Sequence, residues 1–388
     1  MSARCLDSSA LEKLISAAVA APSMHNTQPW RFRLDTDSTT MEIHAAAERG
    51  LPHEDPHGRA LHISAGAALF NLRVAVSQFG WKPVTRLLPD PHHPGLLASM
   101  HITMRTSPRT LHGDDLYEAI WHRHSSRFPF ANQPVPGAVL HELAEAAHSE
   151  GATLAVTGPR ETARLLRVTA EAEHRNHADP SRSAESRRWT NRDGAADTGI
   201  PSTALGPQDT FEQLPLRDFS ARRSLEQLPA RPFERTPTLV SLSTCHDRRI
   251  DWLRAGQALE RVLLVATAHG VRTSLLHQAL EWTDLRDELR SATCPFDHVQ
   301  MLIRLGYGPE GPPTPRRTPR LFLDPDPYPY LDLDLDGTGP QHRRLAPTGP
   351  VGRSRGRPAH GATAQGAAQW KGDTCDAGGG SHAAPDGE

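Results

Sequence analysis

Two short stretches concentrate side chains suited to holding a charged ligand. In residues 123–128, RHSSRF, the side chains of Arg123, Ser125 and Arg127 alternate, so in an extended chain they share one side. Two guanidiniums and a hydroxyl so placed can hold a phosphate and its neighbouring hydroxyls by charge-assisted hydrogen bonds. A second basic group, Arg316, Arg317 and Arg320 in PRRTPR, follows the last strand-like segment. In residues 22–30, PSMHNTQPW, two prolines fix a run of hydrogen-bonding side chains between a helical run and a strand-like WRFRL. A simple turn needs two or three such residues. This corner is therefore expected to touch something beyond itself.

Other chemistry is thin. There is no G-x-S-x-G elbow and no Walker loop. GYGPEG at 306–311 fits G-x-G-x-x-G, but PPTPRR follows where a dinucleotide fingerprint must open a helix, so the match reads as chance. The His-rich pieces LPHEDPH and DPHHPG show no closed four-ligand set and read as solvated loops, with no metal expected. Cysteines 5, 245, 294 and 375 form no CxxC and read as incidental thiols of a reducing cytosol. No residue stands out as a dedicated nucleophile or general acid.

The elements that must position these stretches follow from periodicity. ISAGAALFNLRVAVSQFG (63–80) and LRAGQALERVLLVATAHG (253–270) share A-G-x-A-L, helical apolar spacing and a closing glycine. Gly66 and Gly256 are 256 − 66 = 190 positions apart, as are Gly80 and Gly270. Two related halves are expected, 1–112 and 113–336. The first holds a helix at 9–21, the polar corner, strands near 30–34 and 41–45, the Gly66 helix, and strands at 81–88 and 97–104. The second holds helices at 114–125, 136–148 and 159–175, and strands at 152–157, 236–244, 271–276 and 298–308. It also holds the Gly256 helix. Residues 178–235 are Arg-, Asp-, Pro- and Gly-rich with weak periodicity, as in a lid or a disordered insert. From 337 the chain is Gly/Ala/Pro-rich and reads as a disordered tail.

The 388 residues carry a formal net charge of −2, which gives no global basic field for nucleic acid or an anionic membrane. The start, MSARCLDSSALEKL, lacks the apolar stretch of a signal peptide, and HISAGAALFNLRVAV is interrupted by Asn71 and Arg73. The expected location is cytoplasmic.

Taken together, PSMHNTQPW and RHSSRF resemble the nitroreductase family, which binds FMN. The family's RxSxR-type segment corresponds to Arg123, Ser125 and Arg127, and its P-S-x-x-N-x-Q-P-W segment to Pro22, Ser23, Asn26, Gln28, Pro29 and Trp30. The likeness runs from about residue 9 to 320, outside the 178–235 region and the tail. The order of the two motifs is reversed here, and each half carries only one of them. The chain is thus most similar to the large single-chain, Acg-like branch, a fused pseudo-dimer with one composite FMN site.

The resemblance implies an α+β fold, each half a mainly antiparallel sheet packed with helices. It implies that Arg123 and Ser125 hold the phosphate and ribityl chain, with Arg127 toward the ribityl chain and the pyrimidine edge of the ring. Ser23, Met24 and Asn26 would line the flavin from the other half. Either Arg316 or Arg317 would reach the phosphate. His277 and Gln278 fall where the family places backbone amides near the reactive ring nitrogen. Gln28 would either brace the corner or touch FMN, and Trp30 reads as core packing. The implied activity is hydride transfer from NAD(P)H through FMN to a nitro, quinone or similar acceptor. The alternative is an FMN-binding protein with a covered pocket that sequesters flavin or senses a ligand. A monomer or weak homo-oligomer is expected, since fusion removes the family's reason to dimerise.

Overall fold

The computed structural model describes residues 7–104, 112–191, 196–219, 229–290 and 297–322. The tail expected from 337 and Cys5, Cys294 and Cys375 lie outside them. Asp7 caps α1 (Ser8–Val19), its carboxylate accepting from the Ala10 N–H at 2.7 Å. Leu11, Leu14, Ile15 and Ala18 then form the buried stripe that a spacing of three and four dictates. β1 (Trp30–Asp35) and β2 (Thr40–Ala45) form a hairpin in which Trp30, Phe32 and Leu34 alternate inward. α2 (Arg59–Gln78), β3 (Trp81–Leu87) and β4 (Leu96–Met104) complete an antiparallel sheet of order β1-β2-β4-β3.

α3 (His112–His122) leads to the second half, where α4 (Gly137–His148) precedes β5 (Thr153–Val156). A long excursion follows through α5 (Pro159–Ala178), α6 (Pro180–Arg188) and four two-residue strands. Of these, β6 (Thr190–Asn191) pairs with β7 (Ile200–Pro201), and β8 (Gln208–Asp209) with β9 (Ala230–Arg231). β10 (Thr238–Thr244), α7 (Arg249–Ala268), β11 (Arg272–Leu276), α8 (Thr283–Glu288) and β12 (His298–Gly306) close the half. Its antiparallel sheet has the order β5-β10-β12-β11. Strand by strand this is the plan of the first sheet, with α7 between β10 and β11 as α2 lies between β2 and β3. A ladder irregularity also recurs in place, between Ile43 and His44 of β2 and between Leu242 and Ser243 of β10.

The glycines of the repeat mark where α2 and α7 cross. A Cβ on Gly66 would lie 2.3 Å from the Leu253 carbonyl oxygen, and one on Gly256 would lie 2.1 Å from that of Ile63. Each glycine meets the carbonyl three residues before the other, the reciprocity of a two-fold contact. Among the described residues α2 alone is long and apolar enough to cross a membrane, with a mean hydropathy of 1.3, but 78% of that stretch is buried within the protein.

Three expectations are corrected. The helix expected over 114–125 stops at His122, which leaves 123–128 extended, and a parallel bridge joins Ser125 to Thr273. The 178–235 region is structured where described. Asp179 caps α6, and Ile200, Ala204 and Phe219 form a small core of their own. LPHEDPH is not all solvated loop, because Glu54 is 2% exposed. GYGPEG opens no helix, as expected, but its glycines have a use. Gly311 passes so close to the 123–128 strand that a Cβ there would lie 2.2 Å from the Ser125 carbonyl oxygen.

Candidate functional site

A cleft of about 1140 Å³, its open mouth included, lies where the two halves meet. Its floor is the α2–α7 crossing, with Ile63 and Ala67 facing Leu259, and Leu275 and Met301 come from the second sheet. The polar corner supplies one wall, the 123–127 strand another, and Ile200 and Phe219 of the excursion stand over it.

The basic end is built on buried charge. Arg123 is 4% exposed and donates to the Ala20 carbonyl at 3.0 Å, while its Nε has no hydrogen-bond partner. Behind it, 3.4 Å away, lies Glu260 of α7, 0% exposed and next to Asn71 of α2. Burial raises the Glu260 carboxyl to about 7 against the pull of Arg123. Arg316 spends its guanidinium on the end of α1, donating to the carbonyls of Val19, Ala20 and Ala21 and to Asn26 Oδ1. A cation there meets the negative end of the helix dipole. Burial, with the charge of Arg123, brings Arg316 down to about 9. Burial and the same two arginines hold His124 near 4, so its ring is neutral at pH 7.

The polar corner turns through left-handed backbone at His25, Asn26 and Gln28, with φ of 51°, 55° and 51°. Such conformations cost non-glycine residues about 1 kcal/mol or more each and persist only when the surroundings enforce them. Here the surroundings do. Asn26 Nδ2 donates to the carbonyls of Gly199 (3.0 Å) and Pro315 (2.8 Å). Gln28 donates its backbone N–H to Ser23 Oγ and its Nε2 to Asp197, and accepts from the Arg317 N–H. The corner is therefore a junction that clamps both the excursion and the C-terminal segment. Arg127 is clamped from the same side, donating to the Ala204 carbonyl at 2.9 Å and stacking over Phe219.

A network of buried ions joins the excursion to the cleft wall. Arg217 pairs with Glu54 at 3.0 Å and also with Glu281. Glu54 contacts His25, and Glu281 accepts from His277 Nδ1 at 2.7 Å and from Arg182 at 3.3 Å. Burial opposes charge on Glu54, but His25 and Arg217 outweigh it and hold the carboxyl near 2. Burial lowers His277 further than Glu281 raises it, so its imidazole is neutral at pH 7. Its ring lines the cleft.

Nine of the residues expected from sequence line the cleft: Pro22, Ser23, Met24, Asn26, Arg123, Ser125, Arg127, His277 and Arg316. Three do not. Gln28 is wholly consumed in bracing the corner, Gln278 donates to the Pro215 carbonyl from a buried turn, and Arg317 stands near Arg49 instead. Trp30 is core, 0% exposed. Sequence reasoning missed His25, Glu54, Arg217, Phe219 and Glu281. Only Glu281 had a local signal, its i+4 spacing from His277.

The chain matches a family model and several known proteins. The family model "Nitroreductase family" matches residues 120–307. "Putative NAD(P)H nitroreductase Rv3131" of Mycobacterium tuberculosis (strain ATCC 25618 / H37Rv) is 31% identical over 318 residues, 80% of this chain and 90% of the relative. "Putative NAD(P)H nitroreductase acg" of the same strain is 29% identical over 81% of this chain and 94% of its own. "Uncharacterized protein Rv3127" is 32% identical over 81% and 91%. Among solved structures, the FMN-dependent nitroreductase NfnB from Mycobacterium smegmatis in complex with NADPH is 14% identical. It covers 53% of this chain and 94% of its own, with a TM-score of 0.32. A nitroreductase with bound FMN from Bacteroides fragilis NCTC 9343 is 16% identical over 52% and 93%, with a TM-score of 0.31. With 31% identity spanning nine-tenths of a full-length relative, the chain belongs to the nitroreductase family.

Proposed function

We propose that the chain is an FMN-dependent oxidoreductase that passes hydride from NAD(P)H to a nitro, quinone or similar acceptor, in a single composite site between two fused nitroreductase-like halves. The observation that carries this is the cleft's make-up, in which one wall comes from each motif-bearing half. The donor set suits FMN. Arg123, whose Nε faces Glu260, lines the cleft together with Ser125 and Arg127 of the same extended strand, and the α2–α7 floor offers an apolar face for a planar ring. Arg123 and Ser125 would hold the phosphate end. Arg127, its own charge offset by no carboxylate in contact, would favour a ring that gains negative charge. Arg316 would serve chiefly by fixing Asn26 and the end of α1, since its nitrogens are already engaged. Bound FMN supplies the hydride chemistry itself. NAD(P)H use follows the names carried by the relatives.

The test is direct: load the purified protein with FMN and follow flavin absorbance on adding NADPH or NADH. Bleaching supports the proposal, and a protein that takes up no flavin overturns it. A second reading, a covered pocket that holds flavin without turnover, is favoured by one specific observation. The excursion is bound over the cleft by the buried Arg217 pairs and by Asn26–Gly199. Flavin reduced by dithionite but not by either nicotinamide would select it.

A further inference from the structure

Glu260 is a buried carboxylate in an unusual position. It lies on α7 beside Arg123, 3.4 Å from its Nε, and is not among the residues that line the cleft. Three groups face it: Arg123 from the extended strand, Asn71 from α2 and Arg316 from the C-terminal segment. Asn71 is 0% exposed and stands within hydrogen-bonding reach of the carboxyl. An ionised carboxylate there is held by Arg123 at 3.4 Å, by the Asn71 amide and by the charge of Arg316, whose own donors are engaged on α1 and Asn26.

Now let a phosphate dianion bind on the cleft side of Arg123. The cation nearest Glu260 is then shared, and two more negative charges enter the same low-dielectric region. The neutral acid is then favoured. Its O–H can then donate to Asn71 Oδ1, which a carboxylate cannot do, while its carbonyl still accepts from Asn71 Nδ2.

Resting on the flavin reading above, we infer that Glu260 is a positioning residue for Arg123 that takes up a proton when the phosphate of FMN binds. The carboxyl already sits near 7 before any anion arrives, so a modest upward push moves it across the neutral range. Linkage fixes the sign: a site that gains a proton on binding loses affinity as pH rises.

The experiment is isothermal titration calorimetry of the full chain with FMN at pH 7.5, in two buffers of different ionisation enthalpy. About half a proton or more should be taken up per FMN, and FMN affinity should fall roughly tenfold between pH 7 and 9. The phosphate's own second ionisation, near 6, contributes little at this pH. Riboflavin, which lacks the phosphate, should take up none. In Glu260→Gln the uptake should vanish and the affinity should become flat with pH. A merely structural Glu260 would not move either readout. Uptake below a tenth of a proton in the wild type, or equal uptake in Glu260→Gln, overturns the inference while leaving FMN binding intact. If FMN does not bind at all, the flavin reading falls and takes this inference with it. Should the variant not fold, the wild-type difference between FMN and riboflavin decides.

Discussion

Replacing Arg217 with Met should release the excursion from the cleft while leaving the floor and the basic end in place. Arg217 is 6% exposed at its side chain and bridges two carboxylates, Glu54 and Glu281, that are 1% and 3% exposed. Removing one partner of a buried ion pair costs about 3–5 kcal/mol, because the other charge stays behind without compensation. Here the lower figure applies. His25 still contacts Glu54, and Arg182 and His277 still contact Glu281. Met fills most of the vacated volume, so little packing is lost. About 3 kcal/mol shifts the docked-to-undocked equilibrium roughly 150-fold.

Limited chymotrypsin digestion at low enzyme reads that equilibrium, since cleavage then tracks the open population. Phe219, 3% exposed in the excursion's small core, offers a site that only the open segment presents. Cleavage there should quicken by about two orders of magnitude, and reduction of bound flavin by dithionite should quicken with it if the segment controls access. A folded Arg217→Met chain cut at a rate within threefold of the wild type would refute the latch.

Three further outcomes are expected. Gly256→Ala drives a Cβ into the Ile63 carbonyl and should cost about 3 kcal/mol, read as a melting temperature lower by roughly 6–12 °C. Arg123→Ala should weaken FMN binding about 30- to 150-fold in a fold that survives, because a phosphate loses a charge-assisted donor worth about 2–3 kcal/mol. Glu260→Gln should stabilise the chain at pH 8 by about 1–3 kcal/mol and by progressively less down to pH 5. A carboxyl raised from 4.5 to about 7 favours the native state while protonated and burdens it once ionised, so the gap between the two melting curves must open as pH rises through that window.

How far the sequence reaches depends on how local the signal is. Arg123, Ser125 and Arg127 are readable because an extended strand places alternate residues on one side, and their strand does bridge to Thr273. Gly66 and Gly256 are readable as a repeat, although only the crossing explains why no side chain is tolerated there. The corner shows its polarity but not its partners. Asn26 looks like a ligand contact in sequence and Gln28 like either a contact or a brace, and their amides turn out to hold Gly199, Pro315 and Asp197. Nor does anything in HNTQ foretell three left-handed residues without a glycine. The ion network is the least legible part. Its members, His25, Glu54, Arg217 and Glu281, come from four distant places in the chain, and each looks like an ordinary surface residue in its own neighbourhood.

The two halves share a plan, but among the described residues the ground opposite the cleft is packed. Ile63 and Ala67 line the cleft, and their counterparts 190 positions on are Leu253 and Gln257. Leu253 is packed against Ala65 and Leu97, and Gln257 accepts from Arg73, which also binds Glu150. Arg261 completes that cluster through the other oxygen of Glu150. Apolar packing and ion pairs thus occupy the ground where a second cleft floor would lie. The asymmetry extends to the connections: residues 36–39 join β1 to β2, whereas residues 157–237 join β5 to β10. In a dimer of identical chains a covering segment would be built over both sites or neither. In one chain it can be built over one site while the other is given up to packing. On that argument fully loaded protein binds one FMN per chain, and a measured flavin-to-protein ratio near two would mean that the packed side still opens to ligand.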